Sequence, residues 1–212
     1  MATFNSRIID IVGSTSIASG SSVETFNAAV SELMDMMPPA YLLRYSEGQE
    51  VLNDSNTSGV AEGVKILQVT RNDGTVDRNC KVTTMSEFSA AKDTSSIHLA
   101  TVNSPVYCIV TSSGTSTLQI APIATNAQTA TMYFTTYPIT DYLDTEAIPG
   151  IPQELEQSIV LRAGIKFLQT AISNTVQDDE DSEMQQMLGA QVAALTEQLK
   201  GELHRLMSGK AQ

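Results

Sequence analysis

The chain has 212 residues, a net charge of -12, two cysteines, no tryptophan and only 17% charged residues. That length buries a core without disulfide or metal staples, as one domain or as one domain carrying a large insertion. The charge argues against a protein that grips phosphate backbones, because such binding is driven by Lys and Arg displacing counterions. It leaves open one past which DNA merely moves, since an acidic wall repels DNA and keeps it from sticking. The first residues, Met1 to Arg7, lack the cationic stretch and apolar core of a secretory signal, and no apolar run reaches the roughly 18 residues of a membrane span. The expected setting is therefore the cytoplasm, with no membrane partner, unless the protein is carried out inside a particle.

In chain order, Arg7 to Val12 predicts a brief helix ended by Gly13, and small polar residues follow from Ser14 to Ser22. Ser21 and Glu24 have the spacing of a capping box, opening a helix whose apolar stripe is Val23, Phe26, Val30, Leu33 and Met37. Pro38-Pro39 stops it, because proline cannot continue the backbone ladder and restricts the residue before it. A polar loop is expected from Ser46 to Ser58. From Val60 the apolar period shortens toward two, and Asn72-Asp73-Gly74 between two such runs signals a hairpin, glycine taking the positive φ of a tight turn. Thr84 and Glu87 cap a short helix through Phe88 and Ala91. Strands are expected at 96–100, 105–110, 117–121 and 131–137. They pair antiparallel because their connections are too short for parallel crossovers, except at 84–94.

A proline-bearing linker with Asp141, Asp144 and Glu146 returns the chain to helix at Pro152. Leu155, Ile159, Leu161, Ile165, Leu168 and Ile172 supply one apolar face; Leu188, Val192, Leu195, Leu199, Leu203 and Leu206 supply another on a long final helix. The fold class is thus α+β, a helical bundle with an inserted antiparallel β region. Its divisions fall at 1–45, an N-terminal helical part, 46–151, the β region with its linkers, and 152–212, the C-terminal helical pair.

No catalytic, cofactor or metal site emerges from the residues. His98 with Ser95, Ser96 and Asp93 spells a hydrolase triad in letters, but neighbours on a strand point to opposite faces, so the geometry fails. His204 falls at the end of the last helix, where a cation suits the dipole. Cys80 and Cys108 sit in apolar alternating sequence and read as buried free thiols. The run Asp178, Asp179, Glu180 and Asp181 lacks the spaced acids, glycine and terminal glutamate of a calcium loop, and reads as a solvated inter-helix loop or an acidic contact patch. The leucine stripe is core in its ordinary reading. The length of its helix favours part of it, Leu195, Leu199, Leu203 and Leu206, as a contact with another subunit.

The order of parts carries a resemblance. A capped helix ending in Met37-Pro38-Pro39 leads to Leu67-Gln68-Val69-Thr70-Arg71-Asn72-Asp73-Gly74, then to Ser95-Ser96-Ile97-His98-Leu99-Ala100 and Ser104-Pro105-Val106-Tyr107. Leu118-Gln119-Ile120-Ala121-Pro122 precedes Ile151-Pro152-Gln153-Glu154-Leu155-Glu156 and Val160-Leu161-Arg162-Ala163-Gly164-Ile165-Lys166. This layout, over roughly residues 8–205, resembles the virion structural proteins of tailed bacteriophages, specifically head-to-tail adaptors or connectors of the neck. The resemblance is one of arrangement and short phrases. It implies a non-enzymatic subunit of a ring, commonly twelve-fold, that docks beneath the portal protein, joins it to tail or neck proteins and lines the passage of the DNA without binding it specifically. Asp178 to Asp181 would then be an acidic contact or lumen patch. The β region is larger than the small hairpin insertion of simpler adaptors, so another collar or neck layer stands beside this expectation. A tail- or fibre-associated module that recognises a receptor or glycan is the alternative of a different class.

Overall fold

The computed structural model describes residues 2–13, 22–52, 57–125, 127–138, 140–177 and 182–208, with the backbone alone at 45, 47–52, 57–58 and 175–177. The chain forms two compact units. One is helical, Met1–Tyr41 with Tyr137–Gln212; the other, Leu42–Thr136, holds the strands.

In the helical unit, α1 (Phe4–Val12) is capped by the Thr3 hydroxyl, which accepts from Ser6 N–H, and ends at Gly13 with φ of 82°. The positive φ is one glycine takes without steric cost. Helix α2 (Ser22–Met36) buries Phe26, Val30, Leu33 and, just beyond its end, Met37. Ser21 of the expected capping box lies outside the described residues. The prolines do stop α2, and Pro39 opens the single turn α3 (Pro39–Leu42). After the strand-bearing unit and a segment numbered 137–151, a 3-10 turn at Gln153–Leu155 runs into α5 (Glu156–Gln177), and α6 (Ser182–Met207) completes the unit. The intervening helix α4 (Met85–Lys92) belongs to the other unit.

Helix α5 is the centre, packed on α1, α2 and α6. From Ser158 to Leu168 every residue is buried except Arg162 and Lys166, which are partly so. The sequence showed one face where the structure uses almost the whole circumference, because Val160, Ala163 and Phe167 fill the sides between the expected positions. Gly164 marks a close approach. A methyl group there would lie 3.2 Å from Val12 Cγ1 of α1 and 3.6 Å from Leu195 Cδ1 of α6. Arg162 and Lys166 both turn to Glu32 on α2, the lysine at 2.6 Å, and this pairing holds the Glu32 carboxyl below its usual range.

The expected division at 46–151 moves to 42–136. The linker is tied into the helical unit by backbone chemistry: the first N–H groups of a helix lack partners within it, and here the chain supplies them. Phe4 N–H donates to Thr145 O at 2.9 Å and Asn5 N–H to Leu143 O at 2.7 Å, while the Asn5 side chain donates to Asp144. Leu143 and Ile148 of the same segment are buried.

The second unit contains β1 (Glu47–Leu52), β2 (Thr57–Val60), β3 (Val64–Asn72), β4 (Asp77–Asn79), β5 (Lys81–Val82), α4 (Met85–Lys92), β6 (Val106–Ser112), β7 (Thr115–Ala121) and β8 (Ala130–Thr136). They make two four-stranded sheets, in the orders β1-β8-β3-β4 and β2-β7-β6-β5. All pairings are antiparallel except β5 with β6, and the connection between those two is the one that carries α4. Val69, Leu118, Ile120, Ala130 and Met132 join the sheets face to face. On the outer face of the second sheet, Cys108 and Ala121 pack with Phe88 of α4. Alternation sorts the residues between these layers: Tyr107 points into the sandwich and Cys108 toward α4.

Two segments depart from expectation. The polar stretch from 46 to 58 holds β1 and β2, each at a sheet edge with a single partner strand. Edge strands tolerate polar sequence and so hide from a hydrophobicity pattern. Conversely, 96–100 is a turn rather than a strand. Ser95 N–H donates to Asp93 Oδ1 and His98 N–H to Ser96 Oγ, so local side chains take the backbone groups a ladder would need.

Ser158 is fully buried in α5, and its hydroxyl has no hydrogen-bond partner among the described residues. Replacing an unpaired buried hydroxyl with a methyl group removes a desolvation penalty, so Ser158→Ala is expected to stabilise the chain by about 1 kcal/mol. Chemical denaturation measures this; a lower midpoint in the variant would contradict the packing described.

Candidate functional site

The strands and α4 together build a surface with two clefts. Thr84 caps α4 through a full capping box, its hydroxyl accepting from Glu87 N–H while the Glu87 carboxylate returns to Thr84 N–H. From the end of α4 the chain turns back, and Ala100 N–H donates to Ala91 O at 2.9 Å, pinning the turn 93–100 against the helix. At the tip of that turn Ile97 is 95% exposed, beside Leu99 at 41%.

Two adjoining clefts flank the turn and share Ala91 and Leu99. One, of about 490 Å³, lies between β5, α4 and the turn, with Lys81, Glu87, Ile97 and His98 on its walls. The other, of about 260 Å³, is mainly apolar, bounded by Leu99, Ala100, Ile120, Ala121, Pro122 and Ile123. Ile123 is 53% exposed at its mouth.

The wall of the smaller cleft is held by Arg71, which is 2% exposed although it carries a full charge. Its guanidinium donates to Pro122 O at 3.0 Å, Ile123 O at 2.9 Å, Asn72 O at 3.0 Å and Gln128 Oε1 at 3.0 Å. Burial lowers its pKa from the ordinary value, yet a guanidinium stays protonated at any physiological pH. Gln128 in turn donates to Asp73 O, linking the network to the hairpin tip. There Asp73 accepts from Val76 and Thr75 N–H and pairs with Arg78, contacts that hold its carboxyl down at about 2.

The residues singled out from sequence fall differently. Leu195, Leu199, Leu203 and Leu206 are all buried within the helical unit, between 4% and 7% exposed. Their apolar surface is covered in the single chain. Asp178, Asp179, Glu180 and Asp181 lie outside the described residues. His98 is exposed on the turn, and its backbone rather than its ring engages Ser96. The triad thus fails for a reason other than strand alternation: the Ser96 hydroxyl caps a turn. His204 is exposed in the last turn of α6.

Both cysteines are free. Burial pushes the Cys80 thiol up to about 12 and raises that of Cys108, so neither supplies a thiolate nucleophile at neutral pH. Among the described residues no group of three His, Cys, Asp or Glu side chains converges as a metal site requires. No described helix is long and apolar enough to cross a membrane.

Comparison of the sequence with protein-family models and with curated proteins finds no match.

Charge is divided sharply between the units. The helical unit holds 16 acidic and six basic residues, the other eight acidic and six basic. From Thr94 to Thr140 there is no Asp, Glu, Lys or Arg. Sequence reasoning named neither Ile97 nor Ile123 as surface anchors, although both stand in this charge-free run. Arg71 was readable in principle, since it shares strand parity with the core residue Val69 two positions earlier.

Truncating Arg71 leaves buried carbonyls unpaired. Arg71→Met is expected to destabilise the chain by about 3 kcal/mol or more, with Arg71→Lys recovering only part because one ammonium cannot span the fork. Denaturant midpoints of the two variants check this, and wild-type stability in Arg71→Met would contradict it.

Proposed function

We propose that this chain is a non-enzymatic structural subunit of a tailed-phage neck, forming a ring that joins portal to tail and lines the DNA passage within the virion. The observation that carries the reading is the segregation of charge. The helical unit, with its excess of ten acidic residues, repels DNA and suits a wall past which DNA slides. The other unit, nearly balanced in charge and bearing exposed Ile97, Leu99 and Ile123, suits contact with protein. The α+β layout and the phrases from Met37-Pro38-Pro39 to Lys166 support the same reading through their resemblance to head-to-tail connectors.

A ring uses two different patches on each subunit, so its interfaces are heterologous. Repulsion between acidic helical units grows as subunits gather, and assembly therefore strengthens with added salt. Solution mass by light scattering, with the chain alone and mixed with a portal protein from the same genome, tests the assignment. Rings, formed alone or only on the portal, are the expected outcome. A monomer indifferent to portal at every salt concentration would overturn it, and saturable glycan binding by such a monomer would establish a recognition module instead.

A further inference from the structure

We propose that Asp73-Gly74, at the tip of the β3–β4 hairpin, is a latent modification site: an aspartyl-glycyl bond able to isomerise to isoaspartate and kept from doing so by Arg78 and Asn72. It is the chain's one Asp-Gly pair, and no Asn-Gly occurs. Such pairs rearrange faster than other aspartyl bonds in flexible chains, because glycine has no side chain to hinder ring closure. The inference concerns the chemistry of the hairpin and is independent of the neck reading.

In the rearrangement the Gly74 nitrogen attacks Asp73 Cγ. A C–N bond forms, the Cγ–OH bond of the neutral carboxyl breaks, and the Gly74 N–H proton leaves with that hydroxyl as water. Water then opens the five-membered succinimide. Cleavage at Cγ restores aspartate, whereas cleavage at the α-carbonyl carbon routes the chain through the side chain and leaves the former backbone carbonyl as a free carboxylate. The only co-reactant is water, released in one step and returned in the next.

The reaction needs an unengaged nitrogen, a carboxyl free to rotate onto it, and that carboxyl neutral. The hairpin opposes each. Gly74 N–H donates to Asn72 Oδ1 at 2.7 Å, and the Asn72 amide is itself anchored on Asp77 Oδ1 at 3.0 Å. The Asp73 carboxylate is held forward, Oδ1 accepting from Thr75 N–H at 2.8 Å and Val76 N–H at 2.9 Å, and Oδ2 from Arg78 Nε at 2.7 Å. With the carboxyl held down at about 2, its neutral fraction at a given pH is more than about tenfold below that of an ordinary aspartate.

The register shows why this lock is built from charge. Arg71 and Arg78 stand directly opposite each other across β3 and β4, an unfavourable pairing of like charges. Asp73 offsets it, bonded to Arg78 and favouring the Arg71 cation electrostatically. Isomerisation would lengthen the backbone at the tip by one methylene. It would also turn Asp73 O, which accepts from Gln128 Nε2 at 3.1 Å, into a carboxylate oxygen. Gln128 Oε1 accepts from Arg71, so the lesion reaches the network that holds Pro122 and Ile123.

The test ages the full chain at neutral pH beside Arg78→Ala, Arg78→Lys and Asn72→Ala, with urea-denatured wild type supplying the unprotected rate. Isoaspartate is read by methyl transfer from an isoaspartyl methyltransferase. Peptide mapping places it, since the isomer at residue 73 keeps its mass but resists an Asp-directed protease. The Arg78 side chain is 46% accessible, so its variants are expected to stay folded, which circular dichroism checks for all three. Folded wild type is expected to isomerise at least about tenfold more slowly than the denatured chain. Arg78→Ala and Asn72→Ala are expected to fall between the two, with Arg78→Lys recovering part of the protection. Folded wild type that isomerises at the denatured rate, or folded Arg78→Ala and Asn72→Ala both as slow as wild type, would overturn the proposal.

Discussion

The helical unit depends on one helix being buried nearly all round. Between Ser158 and Leu168 only Arg162 and Lys166 reach toward solvent, and both are claimed by Glu32 of α2. Two cations on successive turns sharing one carboxylate fix the register of α2 against α5 in a way that apolar packing, which is non-directional, does not. The ion group is too exposed to supply much stability, its carboxylate side chain being 43% accessible, so its contribution is to position more than to bind. Stability comes from the apolar belt, and Gly164 lets that belt close by admitting Val12 and Leu195 to within ordinary contact of the α5 backbone. The same arrangement explains why Leu195, Leu199, Leu203 and Leu206 of α6 are buried within the unit.

The other unit presents exposed apolar residues around shaped clefts. Its two sheets bury their facing sides, and α4 covers part of the outer face of the second sheet, leaving the turn after α4 and the segment after β7 as the rim of an uncovered area. Arg71 is the piece that gives this rim a definite shape, tying Pro122 and Ile123 to β3 through the carbonyls they would otherwise leave unpaired. A buried charge satisfied wholly by neutral acceptors is an expensive way to hold a loop, and its presence beside a cleft agrees with a surface whose geometry matters. Parts of the charge-free run from 94 to 140, the turn after α4 and the segment after β7, line that surface, and most of the acidic residues belong to the other unit. In the proposed neck reading, contact and repulsion would fall to different parts of one chain.

Helices were legible because their signals are periodic and long: α2, α5 and α6 follow from apolar spacing and proline stops. The hairpin at Asp73-Gly74 and the capped helix α4 follow from local turn and cap chemistry that needs no distant partner. Strands β1 and β2 were not legible, since edge strands of polar composition are defined by the strands they pair with, Ala130–Thr136 and Thr115–Ala121, far along the chain. The turn at 93–100 misled in the opposite direction. Ile97, His98 and Leu99 look like strand material, and only the placement of Asp93 and Ser96 side chains on nearby N–H groups shows why no ladder forms. The surface itself was unreadable for a related reason: exposure of Ile97 is set by tertiary packing, and an isoleucine in sequence says core by default.

Hydrogen exchange followed by mass spectrometry, comparing the dilute chain with its assembled form, tests most directly the claim that contacts belong to the strand-bearing unit. Slowed exchange on assembly is expected at residues 81–100 and 120–123, with α5 already protected in the dilute chain and unchanged. Protection gained only along α2, α5 or α6, with the α4 face exchanging as before, would contradict the account.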